Sequence, residues 1–262
     1  MRVAQLGSGD PELVIVGGVH GDEPCGERAV EWLLEERPTV SRPVKLIVAN
    51  EEALEREVRY IDADLNRSFD YVAVGSAHEA TLAGTLERQI RGKTVLSIHS
   101  TQSSADPFAI VSGVTAGVEP IVSRLSVEAV VDAGPPEDGR IFDTTATAIE
   151  IEAGYQGSEA ATENAKRLAR EFLIATGALP GELDPVEHPL FELGSPIQKP
   201  EAGSYEVYVA NFSHVEEGDV FAAADGRPIH ADRSFWPVLL SAYGYRDIFG
   251  YRGERQGSVS PV

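Results

Sequence analysis

Apolar residues along positions 1–180 fall into two periods. Short continuous or alternating runs read as strands: Val3–Leu6, Leu13–Val16, Val44–Ala49, Val95–Ile98, Phe108–Val111, Ala129–Val131 and Ala146–Glu152. Several are apolar at every position, the pattern of strands buried on both faces. Between them, stripes at helical spacing predict helices over Gly26–Glu36 (Ala29, Val30, Leu33, Leu34), Ala77–Arg91 (Ala83, Leu86, Ile90), Val118–Leu125 and Ser158–Thr176 (Ala161, Ala165, Leu168, Phe172). Ser158 offers an N-cap and Gly177 a stop. Glu51–Val58 is polar and short, a loop or one helical turn. Arg59–Asp70 is too polar for a core strand and holds no Pro or Gly, so it reads as an ordered loop. From about Pro185 the texture changes. Short β-like runs at Tyr205–Val209, Val220–Ala222 and Phe235–Ala242 alternate with Gly, Pro and Asp turns, and no long helix fits. The reading is an α/β domain over residues 1–184, followed by a small, mostly β domain over 185–262.

Composition narrows the class. At 262 residues with 42% apolar content the chain holds a substantial core. No apolar run approaches the ~18–20 residues of a membrane span. Met1–Gln5 lacks the apolar stretch of a secretory signal, and the single Cys, Cys25, excludes an internal disulfide or a cysteine-based zinc site. A cytoplasmic protein is the expectation. Twenty-two basic residues against 42 acidic give a net charge of −20, which argues against nucleic acid or an anionic membrane as partner. The acids are dispersed and Lys is scarce, a surface suited to very high salt, where screening removes self-repulsion. A halophilic protein is therefore expected. Homo-oligomerisation is left open.

Chemistry gathers at predicted strand ends. The run Leu13–Val16 ends in Gly17-Gly18 and leads into His20 and Glu23, three residues apart. His99 follows the run Val95–Ile98, and Glu152 closes the alternating strand with Glu150 on its same face. An open α/β sheet collects such loops at its carboxyl edge. Two imidazoles and a carboxylate, His20, Glu23 and His99, form a three-ligand set for one catalytic Zn2+ per chain, with a position left for water. Glu152, nearest the edge, would then be the acid–base that takes a proton from water and hands it to a leaving amine. In the polar loop, Arg59, Asn66 and Arg67 can supply a fixed positive donor for an oxyanion and a guanidinium fork, supported by a neighbouring amide, for a substrate carboxylate. The same arginines could simply pair with Asp62, Asp64 and Asp70. Cys25 reads as a small buried residue under a helix start.

Four stretches carry a resemblance: Gly18-Val19-His20-Gly21-Asp22-Glu23, Arg59 through Phe69 with its Asp64-Leu65-Asn66-Arg67 block, Ile98-His99-Ser100-Thr101, and Ile149 through Gly154. In order, they resemble the succinylglutamate desuccinylase/aspartoacylase family, itself related to the zinc carboxypeptidases. Phe235–Leu240 and Tyr243-Gly244-Tyr245 look like that family's closing segment. The resemblance implies a three-layer, carboxypeptidase-like mixed sheet with a small C-terminal mostly β domain capping the site. It implies zinc-dependent hydrolysis of the amide in a small anionic N-acyl amino acid. His20, Glu23 and His99 match the zinc ligands, Glu152 the catalytic carboxylate and Arg59 the carbonyl-polarising arginine. Asn66 and Arg67 match the carboxylate-binding pair. Tyr245 matches a substrate-contacting tyrosine, with Tyr243 close by. Ten residues before Glu152, where aspartoacylases carry an arginine for a second substrate carboxylate, this chain has Phe142, with Arg140 two positions away. Two other readings use the same residues. One is a carboxypeptidase acting on peptide C-termini, which an open groove would favour. The other is a metal-stabilised binder without turnover, which would need neither Glu152 nor Arg59.

Overall fold

Three parallel strands sit at the centre of the sheet and carry the candidate site: β2 (Leu13–Gly17), β4 (Thr94–Thr101) and β7 (Thr147–Tyr155). They belong to a computed structural model that describes residues 1–69, 77–135, 140–145 and 147–260. The first strand, β1 (Arg2–Leu6), lies antiparallel to β3 (Val44–Val48), which runs parallel to β2. Beyond β7 come β5 (Phe108–Val111), antiparallel to it, and β6 (Val130–Asp132). The sheet is completed by β8 (His188–Gln198), β13 (Ile248–Val259) and β12 (Trp236–Val238), giving the order β1-β3-β2-β4-β7-β5-β6-β8-β13-β12. A separate three-stranded antiparallel sheet holds β9 (Tyr205–Val207), β10 (Val220–Ala224) and β11 (Arg227–His230).

The period of two along the central strands sorts the core into layers. Leu13, Ile15, Leu96, Ile98, Ile149 and Ile151 face helices α1 (Cys25–Glu36) and α5 (Glu159–Ala175). Val14, Val16, Val95 and Ala148 face the opposite layer, where α3 (His78–Ile90) supplies Ala83, Leu86 and Ile90. Helices on both faces of a mixed sheet make the three-layer α/β architecture. The small sheet has its own core of Phe221, Phe235 and Phe249 with Ile197 and Leu240. Among the described residues, no helix is long and apolar enough to cross a membrane.

Several elements depart from the sequence reading. Glu51–Glu55 forms a short helix, α2, with the Asn50 side chain accepting from the Ala53 N–H. Val118–Leu125 is helical only over Glu119–Val122 (α4) and continues as i→i+3 turns. The strand expected to end at Glu152 runs on through Gly154 to Tyr155, because β4 continues to pair with it past a register shift. Phe235–Ala242 reduces to the three-residue β12, since Leu239 turns into the left-handed region at φ 54°. β8, β11 and β13 are strands that the apolar pattern does not mark. Residues 185–262 include the small sheet, yet β8 also pairs parallel with β6, so β8, β13 and β12 extend the large sheet. Asp70 and Ala146 lie outside the described residues.

Candidate active site

The loop after β2 is shaped by its glycines. Gly18 adopts φ +64°, which turns the chain out of the strand, and a Cβ on Gly21 would lie 2.0 Å from the Ala53 carbonyl carbon. That contact, with the Gly21 N–H donating to the Arg59 carbonyl at 3.1 Å, fixes the loop against the polar segment that follows α2. His20 and Glu23 are buried at the loop's inner side. The strand period delivers the rest. Ser97 and His99 on β4, and Glu150 and Glu152 on β7, project to the α3 side of the sheet, with His99 directly across from Glu152 in register.

The three predicted ligands meet. His20 Nδ1 stands 2.9 Å from Glu23 Oε1 and His99 Nδ1 3.0 Å from Glu23 Oε2, and the donor atoms of the trio all lie within 4.8 Å of one another. Both outer nitrogens are engaged: His20 Nε2 contacts Asp64 Oδ1 at 3.0 Å, and His99 Nε2 contacts Ser97 Oγ at 3.0 Å. An oriented imidazole with its far nitrogen anchored is the arrangement that presents the near nitrogen to a metal. The donor set of two imidazoles and one carboxylate, convergent and buried, fits zinc.

The charges inside this cluster shift one another. Burial alone would lower the His20 pKa, but Glu23 and Asp64 outweigh it and push it up to about 9. Burial would likewise raise Glu23 and Asp64, and their cationic neighbours instead hold both carboxylates low. Arg59 donates from Nη1 to Glu23 Oε1 at 2.7 Å and from Nη2 to Asp64 Oδ2 at 3.5 Å. Glu152 behaves oppositely. Burial, then the nearby Glu23 carboxylate, push its pKa up to about 7. Its Oε2 is buried without a hydrogen-bond partner among the described residues. Glu150 is engaged, accepting from Asn66 Nδ2 at 2.9 Å.

One cavity of about 300 Å³ gathers every predicted site residue: His20, Glu23, Arg59, Asn66, Arg67, His99, Glu152 and Tyr245 line it. Asn66 and Arg67 sit in a short 3-10 turn, Leu65–Arg67, capped by the Asp64 side chain accepting from the Asn66 N–H. The Asn66 amide is held at both ends, by Glu150 and by the Ile141 N–H at 3.1 Å. Arg67 spends Nη1 on the Asn66 carbonyl and, among the described residues, has no carboxylate partner. Tyr245 is half-buried, with its phenol pKa raised by desolvation and by Tyr251, whereas Tyr243 is 63% exposed and does not reach this cavity. Phe142 is packed in the apolar layer beside α3, while Arg140 lines the cavity. Cys25 is buried, its Sγ donates to the His99 carbonyl at 3.4 Å, and burial pushes the thiol up to about 12.

Sequence reasoning makes Asp64 only a candidate ion-pair partner of the arginines and gives Ser97 and Glu79 no part; of the residues over the cavity it names Tyr245 but not Leu193, Leu239 or Tyr251. Ser97 was findable, since it precedes His99 by two on a strand. Glu79 was not. Fully buried, it accepts from the N–H groups of Ile61, Asp62 and Ala63 at 2.7, 2.9 and 3.1 Å and so braces the loop that carries Arg59 and Asn66. Nothing in helical periodicity marks such a residue.

Comparisons with known proteins bear on the family and the fold. The family model for the succinylglutamate desuccinylase/aspartoacylase catalytic domain matches residues 9–175. An N-acyl-aromatic-L-amino acid amidohydrolase (carboxylate-forming) of Xenopus tropicalis is 26% identical over 96% of this chain and 86% of its own length. An aspartoacylase of Xenopus tropicalis is 30% identical over 38% of this chain and 32% of its own. Murine aminoacylase 3 superposes with a TM-score of 0.72 at 19% identity, covering 97% of this chain and 99% of that one. Succinylglutamate desuccinylase of Vibrio parahaemolyticus does so at 0.68 and 19%, covering 97% and 86%. These likenesses at 19% identity establish the shared fold.

Proposed function

The chain belongs to the succinylglutamate desuccinylase/aspartoacylase family, and from that premise we propose that it is a zinc-dependent amidohydrolase cleaving the amide of a small anionic N-acyl amino acid. One observation carries the reading. Glu152, whose Oε2 is buried and has no hydrogen-bond partner among the described residues, shares a cavity with the His20–Glu23–His99 cluster and with Arg67, whose guanidinium has no carboxylate partner among those residues. Acid–base group, metal-ligand set and anion anchor are the three parts such a hydrolysis needs.

His20, Glu23 and His99 would hold the zinc, which supplies Lewis acidity that acidifies water and polarises a carbonyl. Arg67, with the second amide hydrogen of Asn66, receives the substrate carboxylate. Arg59 directs a guanidinium at the carbonyl oxygen, where negative charge grows as water adds. Glu152 takes the proton of the attacking water. It returns that proton to the amide nitrogen as the C–N bond breaks, releasing a carboxylic acid and a free amine. The Tyr245 phenol, protonated at neutral pH, donates a hydrogen bond to the bound carboxylate. A cavity of about 300 Å³, roofed by Leu193, Leu239, Tyr245 and Tyr251 from the C-terminal segment, suits a small substrate better than a peptide chain.

The test is a panel of N-acyl amino acids incubated with zinc-loaded protein, with release of free amine measured alongside metal content. Expected are about one zinc per chain and turnover of at least one member. A protein that takes up no zinc, or that binds zinc and releases amine from none of the panel, would overturn the reading.

A further inference from the structure

A second cavity, of about 240 Å³, opens on the other side of the candidate catalytic groups. It shares Glu23, Arg59, Glu152, Leu239 and Tyr245 with the first, so the two chambers meet where the amide would be cut. Their walls differ in charge. The first chamber holds Arg67 and Arg140 besides Arg59. Among the described residues lining the second, Arg59 is the sole cation, and Glu23 and Asp64 already engage its guanidinium.

The second chamber instead adds a carboxylate, Asp22, to the groups shared with the first. Asp22 lines it with Oδ1 buried and unpartnered, and the Ser100 hydroxyl oxygen is likewise buried and unpartnered among the described residues. The remaining polar wall is uncharged, made of Thr101, Ser241, Tyr243 and two amides: Gln102 Nε2 donates to Gln156 Oε1 at 3.0 Å, and Gln156 Nε2 donates to the Asp22 carbonyl at 3.0 Å. A carboxylate placed here would face the Asp22 carboxylate, with Arg59, already bound to Glu23 and Asp64, as the one cation in the described lining. Like-charge juxtaposition in a partly desolvated chamber is a strong device for rejection.

Resting on the hydrolase reading above, we propose that this second chamber is the acyl subsite and that Asp22 makes it select a short, uncharged acyl group and reject acyl chains ending in a carboxylate. The amine half, with the α-carboxylate, then occupies the cationic first chamber. One substrate thus spans both, its charged end on the Arg67 side and its neutral end on the Asp22 side.

The experiment compares N-acetyl and N-succinyl derivatives of each amino acid turned over, using zinc-loaded protein. The expected kcat/KM favours N-acetyl by at least about tenfold. Asp22→Asn should shift that ratio toward N-succinyl by about tenfold, and Gln102→Arg, which places a cation at the exposed rim, should shift it the same way. Zinc content is measured for each variant, so that loss of metal is not mistaken for altered selectivity. Parent protein that prefers N-succinyl substrates, or variants with full zinc and an unchanged ratio, would overturn the proposal. If no N-acyl amino acid is turned over, the hydrolase reading fails separately. The same pairs are then compared by calorimetric binding, where tighter binding of the N-succinyl member overturns the subsite assignment and tighter binding of the N-acetyl member sustains it.

Discussion

β4 and β8 are long strands of one sheet and behave as opposites. β4 is buried almost throughout and runs parallel to a neighbour on each side, β2 and β7. β8 is largely exposed or half-buried, and its ribbon with β13 contains three register shifts. The first arrangement leaves a side chain one direction to point, so His99 faces Glu23 and Glu152 by geometry alone. The second bends, and it supplies shape: Leu193 from β8, Tyr251 from β13 and Tyr245 from the turn before β13 roof the cavity. Fixed chemistry on the central strands and adjustable recognition on the ribbon are what a family of related substrates requires.

Substitutions should therefore hurt very unequally in the two regions. The largest effect is expected at the centre. His20→Ala or His99→Ala should lose most bound zinc and nearly all turnover while the far-UV circular dichroism is kept, because the apolar layers on both faces remain. Full zinc retention in both variants would remove the distinction. On the ribbon, Tyr245→Phe should retain zinc and leave kcat within about threefold, while KM rises about tenfold, the worth of one hydrogen bond to a charged group. A kcat collapse instead would place Tyr245 with the central machinery.

A smaller effect concerns pH. Free of metal, folded His20 holds its proton to about pH 9 against an ordinary 6.5, and Glu152 to about pH 7 against 4.5. Both bind protons more tightly folded than unfolded, so their contribution to stability is complete below the unfolded values and is lost as pH rises through the folded ones. Chelator-treated protein should melt at lower temperature at pH 9 than at pH 6, and saturating zinc should flatten that slope. Equal slopes with and without zinc would separate the metal from these groups. The smallest effect belongs to the dispersed acidic surface, remote from both regions. Melting temperature should rise as KCl goes from tenths molar to molar, and a flat or falling curve would count against adaptation to salt.

The same contrast explains what was legible in the sequence. Buried parallel strands leave continuous apolar runs, so β2, β4 and β7 and the residues at their ends stood out. Glu152 and Glu150 shared a face and the period of two could not separate them. The partner does, since Asn66 occupies Glu150 and leaves Glu152 Oε2 free. β8 and β13 left no clean pattern because exposed, bulged strands mix polar and apolar residues and interrupt the alternation at each register shift. Asp64 reaches His20 and Glu79 reaches three backbone N–H groups, partners distant in sequence of which local pattern carries no trace.

The most direct measurement compares Glu152→Gln with Glu150→Gln on a confirmed substrate, with zinc content determined for both. Glu152→Gln should keep its zinc and its substrate affinity and lose turnover by at least about a hundredfold, the scale of a positioned proton transfer. Glu150→Gln, which can still accept from Asn66, should change KM by less than about tenfold and kcat little. A Glu152→Gln protein that turns over within about tenfold of the parent, or a Glu150→Gln protein that is the inactive one, would contradict the role assigned to Glu152.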